Sequence, residues 1–332
     1  MKIDIFPHIL PERYKEALKR KAPPGFHQED IIDACPTITD LDMRFRVMDR
    51  HEDYVQALTL VSPPLEIVVG PEDAIELAKI ANDEMAELVT KYPDRFAAAV
   101  ACLPMSDIEA ALKEADRAIT ELKFRGVQIY TSINGKPLDS PEFMPLYEKM
   151  TYYNLPIWIH PLREKSVPDY PGEDSSKYDI NSLFGWPFET TAAMARLVYS
   201  GILERYPDLK IIIHHCGAMI PYFNQRIEMW EGISEMRLGV RREHLSTKKP
   251  LDCYHMFYTD TATYGSTPAL MCAYAFYGAE HMLFGTDMPY DNQNGFRVMR
   301  ESIRSVEEMD IPDSDKQKIF ADNARKLLRL AI

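Results

Sequence analysis

The sequence predicts a (β/α)8 TIM barrel, an α/β fold running through the 332-residue chain. Three observations carry this expectation. Eight short β-type runs are spread along the length, amphipathic helical stretches separate them, and histidines and aspartates gather where the runs end. The runs are residues 2–6, 54–60, 96–101, 126–129, 156–160, 210–214, 257–260 and 282–285. They are rich in Val, Ile, Phe and Ala, as strands buried on both faces of a parallel sheet must be. Residues 72–92 carry Ile75, Leu77, Ile80, Ala81 and Leu88 at helical spacing, with Pro71 at the start and Pro93 beyond the end. Residues 107–122 carry Ile108, Ala111, Leu112, Ala115, Ile119 and Leu122 in the same way. Residues 189–206 and 266–277 read as further helices, and 313–330 closes the chain. A doubly wound open sheet is the competing architecture, but no GxGxxG follows an early strand.

No internal repeat or low-complexity tract is visible, so residues 1–332 are expected to form one barrel domain. Two long connections interrupt it. Residues 162–185 contain Pro168, Pro171 and Gly172; residues 232–256 contain Arg237, Arg241, Arg242, Lys248 and Lys249. Structureless stretches of that length are usually functional loops, and after strands five and six they lie on the active face of a barrel.

A composition of 46% hydrophobic and 27% charged residues excludes disorder. The formal net charge of −13 argues against a nucleic-acid partner, which calls for a basic excess. It does not exclude an anionic small molecule, because local cations set the potential of a site. The five cysteines, Cys35, Cys102, Cys216, Cys253 and Cys272, are odd in number and form no CxxC pair. A reducing, cytoplasmic setting follows as the expectation. The N-terminus enters a strand-like run directly, without signal-peptide character, and no apolar run reaches the roughly 18 residues of a membrane span.

The chemistry-bearing residues sit at run ends. His8 lies two residues past the first run, His160 ends the fifth, and His214 and His215 end the sixth. Asp260 ends the seventh and Asp287 follows the eighth. A lone histidine after a strand is more often a hydrogen-bonded structural residue than a ligand. Several at successive strand ends differ, because a barrel brings those positions over one mouth. Imidazoles with a carboxylate suit a borderline divalent cation such as Zn²⁺ or Mn²⁺. Side chains alternate along a strand, so only one of His214 and His215 is expected to face the mouth, the other being structural. His27, His51, His244, His255 and His281 fall in helical or loop context and receive no role.

These segments together resemble the amidohydrolase-related family that includes aminocarboxymuconate-semialdehyde and γ-resorcylate decarboxylases. Ile3-Asp4-Ile5 with His8-Ile9-Leu10-Pro11 resembles the family's opening strand. Gly185-Trp186-Pro187-Phe188-Glu189-Thr190, with Ala195-Arg196-Leu197 and Ser200-Gly201, resembles its fifth-helix entry. His215-Cys216-Gly217 with Pro221 and Arg226, then Phe284-Gly285-Thr286-Asp287-Met288-Pro289, then Asn323-Ala324-Arg325-Lys326-Leu327-Leu328, complete the pattern in order. The resemblance implies a metal-dependent-hydrolase-like barrel with one divalent metal held by His8, His160 and Asp287. It implies His215 as the histidine beside the metal that moves protons or activates water. It implies Arg226 as an arginine that crosses into a neighbouring subunit's site and grips a substrate carboxylate, hence a homodimer or higher assembly. Read without the resemblance, Arg226 is a surface ion-pair residue.

The family's first strand usually ends His-x-His, or Glu-x-His in some decarboxylases; here the first of those positions is Phe6. Phenylalanine cannot bind a metal. Three protein ligands plus water suffice for catalytic zinc, so His8, His160 and Asp287 can still form a weaker site. Phe6 is expected as an apolar wall against a ring-shaped substrate. Three functions compete: a non-oxidative decarboxylase of an aromatic or unsaturated carboxylic acid, with His215 or Asp287 moving the proton; a hydrolase using metal-bound water on a carbonyl, lactone or C–C bond; and a metal-free binding protein, supported by Phe6 alone.

Overall fold

The computed structural model of the chain describes residues 1–26, 28–238 and 248–332. All eight expected strands form: β1 (Lys2–Asp4), β2 (Tyr54–Leu60), β3 (Phe96–Ala99, resuming at Ala101–Cys102), β4 (Val127–Tyr130), β5 (Ile157–His160), β6 (Ile211–Ile213), β7 (Tyr258–Asp260) and β8 (Met282–Leu283). Each pairs in parallel with the next, through registers such as Lys2↔Tyr54, Val127↔Ile157 and Thr259↔Met282. β3 bridges the two halves: residues 96–99 pair with β2 and residues 101–102 with β4. Ile5 N–H donates to the Phe284 carbonyl at 2.9 Å, joining the end of β1 to the end of β8 and closing the barrel.

Why the interior packs follows from alternation. Ile3, Ala57, Ala98, Trp158, Ile212 and Leu283 come from six different strands yet form one buried cluster with Ile5, Phe6 and Val100. Trp158 is the largest of these, and its indole N–H donates to the Ile5 carbonyl at 3.0 Å. Its ring lies over Gly126, where a Cβ would fall 2.4 Å from both Trp158 and the Pro156 carbonyl. Around the strands, helices bury one stripe each. The helix Pro71–Lys91 buries Ala74, Leu77, Ala78, Ala81 and Met85, and starts on Pro71 with Glu72 and Asp73 in its first turn. The helix Ile108–Thr120 is capped by the Asp107 carboxylate, which accepts from Ala110 N at 3.0 Å.

Several expected boundaries shift. The first strand ends at Asp4, and His8–Ile9 forms a separate two-residue strand beside β2. The helix expected over 189–206 is two, Trp186–Tyr199 and Ile202–Arg205, parted at Gly201 with φ +79°. The 232–256 connection is not structureless: the helix Ile220–Leu238 runs into it and Pro250–Tyr254 forms another. Arg241, Arg242 and His244 lie outside the described residues, as does His27. The 162–185 connection is irregular but tied down: Asp169 accepts from Ser176 Oγ and Lys177 N, each at 2.8 Å, and Arg163 pairs with Glu189 at 2.7 Å. Among the described residues no helix is long and apolar enough to cross a membrane.

Gly126→Ala forces Trp158 or the Pro156 carbonyl to move, and overpacking of this kind costs about 1–3 kcal/mol. A denaturant midpoint unchanged from wild type would contradict the packing described for the barrel interior.

Candidate active site and metal centre

The strand ends bring His8, His160, His214, His215 and Asp287 together. Nitrogens of His8, His160 and His214 lie within 4.8 Å of one another, and ligand atoms of His214, His215 and Asp287 do the same. Asp287 joins the two triads through its separate oxygens. Oδ1 lies 3.1 Å from His8 Nε2 and 3.3 Å from His214 Nε2; Oδ2 lies 3.5 Å from His215 Nε2 and accepts from Tyr264 Oη at 2.6 Å. The inner imidazoles of His8 and His214 are fully buried, and His160 nearly so.

Each inner histidine is set by a partner on Nδ1. The Pro161 carbonyl can only accept, so His160 Nδ1–H donates to it at 2.7 Å. Thr59 gives its hydroxyl proton to the Pro7 carbonyl at 3.0 Å, leaving Oγ1 to accept from His8 Nδ1 at 3.4 Å. His214 Nδ1 is held by Asp260 Oδ2. Asp260 Oδ1 in turn accepts from Cys216 N at 3.1 Å and Ala262 N at 2.9 Å. Nδ1 engaged outward leaves Nε2 facing the centre, the arrangement that outer hydrogen bonds impose on metal-binding imidazoles. His8 Nε2 is buried and lies 3.1 Å from Asp287 Oδ1. A divalent cation fits these donors, and the residues that could hold one form two groups sharing His214, one with His8 and His160 and the other with His215 and Asp287.

Deeper residues hold the ligands in place. Asp4, wholly buried, accepts from Phe6 N and Thr286 N at 3.1 Å, from Thr286 Oγ1 at 2.5 Å, and from Tyr54 Oη. It thereby locks the segment before His8 to the segment carrying Asp287. Arg44, also fully buried, donates to the His8 carbonyl and to Gln56 Oε1, both at 2.8 Å. Gly285 permits the close approach of β7 and β1 here: a Cβ would lie 2.9 Å from that of Asp260 and 3.3 Å from that of Phe6.

Burial by itself would raise the carboxyl of Asp287, but hydrogen bonds from His214, His215 and His8 outweigh it and hold the group well below the usual carboxylate range. Burial lowers His214, yet the Asp260 carboxylate reverses that and lifts the ring to about 9. Burial and the neighbouring imidazoles push His160 well down, and burial followed by His214 lowers His215. Burial brings Arg44 down to about 10.

His214 and His215 overturn the expectation that one of the pair turns away. β6 ends at Ile213, and His215, Cys216, Gly217 and Ala218 all have left-handed φ, between +54° and +75°. The strand alternation therefore stops, and the two imidazoles stack at 3.8 Å on the same side. Phe6 also differs from expectation. It is completely buried, stacked on His214 at 3.7 Å, and does not line the cleft. The aromatic walls are instead Trp186 and Tyr264, two residues whose part in the site was not foreseen. With Ser182, Leu183, Pro187, His215, Ala262 and Thr263 they line a cleft of about 360 Å³. Trp186 was visible in the fifth-helix motif, but its direction depends on the turn Asn181–Gly185 that precedes it. Arg226 is not brought to this group: it is exposed on the helix Ile220–Leu238, its guanidinium 5.0 Å from the centre of the Trp230 ring.

A parallel α/β barrel with histidines and an aspartate clustered at its strand ends is the architecture of metal-dependent hydrolase-like enzymes. Within that class the chain belongs to the amidohydrolase family, whose pattern matches residues 8–330. It is similar to γ-resorcylate decarboxylase from Polaromonas sp. (strain JS666), 31% identical over 87% of each chain. It is also similar to 2-amino-3-carboxymuconate-6-semialdehyde decarboxylase from Dictyostelium discoideum, 27% identical over 99% of this chain and 92% of the relative. The crystal structure of a dihydroxybenzoic acid decarboxylase from Polaromonas sp. JS666, with bound manganese and the inhibitor 2-nitroresorcinol, superposes with a TM-score of 0.80 at 27% identity. It covers 99% of this chain and 96% of that one.

Arg44→Met removes the donor to two buried acceptors, the His8 carbonyl and Gln56 Oε1. Leaving buried groups unsatisfied costs about 1–3 kcal/mol each. A lowered melting temperature together with reduced metal content is expected; full metal content would show that Arg44 does not position His8.

Proposed function

We propose that the chain is a metal-dependent non-oxidative decarboxylase acting on an aromatic or conjugated carboxylic acid, with residues 1–332 forming one catalytic barrel domain. The observation that carries this reading is the cleft. Trp186, Tyr264 and His215 line it, and Asp287 behind that lining reaches His215 and Tyr264 with Oδ2 and the buried His8 and His214 with Oδ1. Such a space suits a planar ring presented edge-on to a proton-handling pair. The relatives named as decarboxylases of hydroxylated or unsaturated acids support the same reading.

His8, His160 and Asp287 would hold a divalent cation, zinc or manganese, which would supply Lewis acidity to the site. The chain's own residues do the rest. Trp186 and Tyr264 hold the ring and exclude water from its faces. Tyr264 Oη, donating to Asp287 Oδ2, orients that oxygen. The C–C bond to the carboxyl breaks and CO₂ leaves, the electron pair stays on the ring carbon, and a proton drawn from solvent and passed on by His215 fills the vacated position while Asp287 stays ionised. Fixed dipoles aimed at developing charge are the largest catalytic contribution such a site can make. Arg226, exposed on its own subunit, serves the partner's site in a homodimer by gripping a substrate's anionic group. A cytoplasmic location accords with five cysteines of which none is joined in a disulfide.

Turnover in D₂O should place one deuterium on the carbon that lost CO₂, and Asp287→Asn should abolish turnover while the fold is kept. Incorporation of ¹⁸O from water into a new carboxylate, with no CO₂ released, would establish the hydrolase reading instead. For Arg226, mixing the inactive variants Arg226→Ala and Asp287→Asn under subunit exchange should restore part of the activity, because one site per hybrid keeps both residues. No recovery after proven exchange removes Arg226 from the partner's site.

A further inference from the structure

We propose that His214 is a metal ligand: the place Phe6 cannot fill on the first strand is supplied from the sixth, and the cation is held by His8, His160, His214 and Asp287. The inference rests on the metal-dependent reading above and changes which residues make the site.

Three independent features support it. The first is position. A His214 nitrogen lies within 4.8 Å of nitrogens of His8 and His160, and His214 Nε2 is 3.3 Å from Asp287 Oδ1. That oxygen is also 3.1 Å from His8 Nε2. Two ring nitrogens crowding one carboxylate oxygen, with a third imidazole beside them, is a poor structural ion pair and a good donor set for one cation. The second is the outer partner. Asp260 takes His214 Nδ1, and its other oxygen is fixed by two backbone amides, of Cys216 and Ala262. A carboxylate on the far nitrogen sets the tautomer and raises the basicity of the near one, as ligating imidazoles require. The third is the stack. Phe6 covers one face of the His214 ring at 3.7 Å and 12°, and His215 covers the other at 3.8 Å and 29°. The ring is clamped with Nε2 toward the centre, and Phe6 occupies the volume beside it that a first-strand ligand would use.

The consequence is a centre of three imidazoles and one carboxylate. Imidazole donors suit zinc, whereas manganese favours oxygen-rich sets. The site therefore prefers Zn²⁺ to Mn²⁺.

The experiment titrates metal-stripped protein with Zn²⁺ and with Mn²⁺ against a chromophoric chelator. Wild type should bind one Zn²⁺ more tightly than Mn²⁺. Asp260→Asn should weaken Zn²⁺ about 10–100-fold, the usual loss when an outer partner of a ligating histidine is removed. His214→Ala should weaken it more than that, and Phe6→His in the His214→Ala background should recover much of the loss. Zn²⁺ affinity of a folded His214→Ala variant equal to that of wild type overturns the inference and leaves the metal-dependent reading standing; no metal bound by wild type overturns both. Should His214→Ala fail to fold, Co²⁺-loaded wild type decides the matter. Three paramagnetically shifted imidazole N–H resonances, all retained in His215→Ala, are expected, and two would refute the ligand role.

Discussion

Asp287 carries a negative charge where water barely reaches, and the barrel mouth is arranged around that charge. A buried carboxylate left alone would take up a proton; this one is kept ionised by His214, His215 and His8. The need to compensate it explains why imidazoles from the first and sixth strand ends converge here, and why Asp4 and Arg44 are spent on backbone and hydroxyl groups around them rather than on the surface. It also divides the site in two. Oδ1 belongs to the dry interior with His8 and His214, while Oδ2 belongs to the cleft with His215 and Tyr264. One residue thus links the place where a cation fits to the place where a substrate fits.

The barrel was legible because its strands are short apolar runs buried on both faces, and such runs stand out whatever the details of their pairing. Their ends were less so. Hydrophobic pattern marked 2–6 as one strand, but Asp4 bends the chain by accepting from Phe6 N two residues on, and pairing stops there. His8, His160 and Asp287 could be picked out because a parallel barrel brings strand ends together regardless of loop shape. The histidine pair could not, since strand alternation was the only available guide and the backbone leaves the strand before it reaches His215. Phe6 was misplaced for a related reason. Its chemistry says apolar surface, and only packing decides whether that surface faces a substrate or another side chain; here His214 already covers it.

Some of the missed residues had no signal that a single chain could show. Tyr264 is one tyrosine among 18, and its link to Asp287 depends on a turn with φ +52° that no spacing announces. Asp260 is legible as a strand end, but it acts on the outer side of the His214 imidazole. The 232–256 connection looked like a loop because its charges are dense and its apolar residues sparse. A helix exposed along much of its length reads the same way.

The turn after β6 is built from residues that dislike it. His215, Cys216 and Ala218 all adopt left-handed backbone, at about 1–2 kcal/mol each for a residue with a side chain. Replacing Cys216 or Ala218 by glycine would relieve that cost and should be among the easier ways to raise the protein's heat resistance. The same relief would widen the range of conformations open to the segment that keeps His215 stacked on His214 and facing the cleft. At this turn robustness and catalytic order pull in opposite directions.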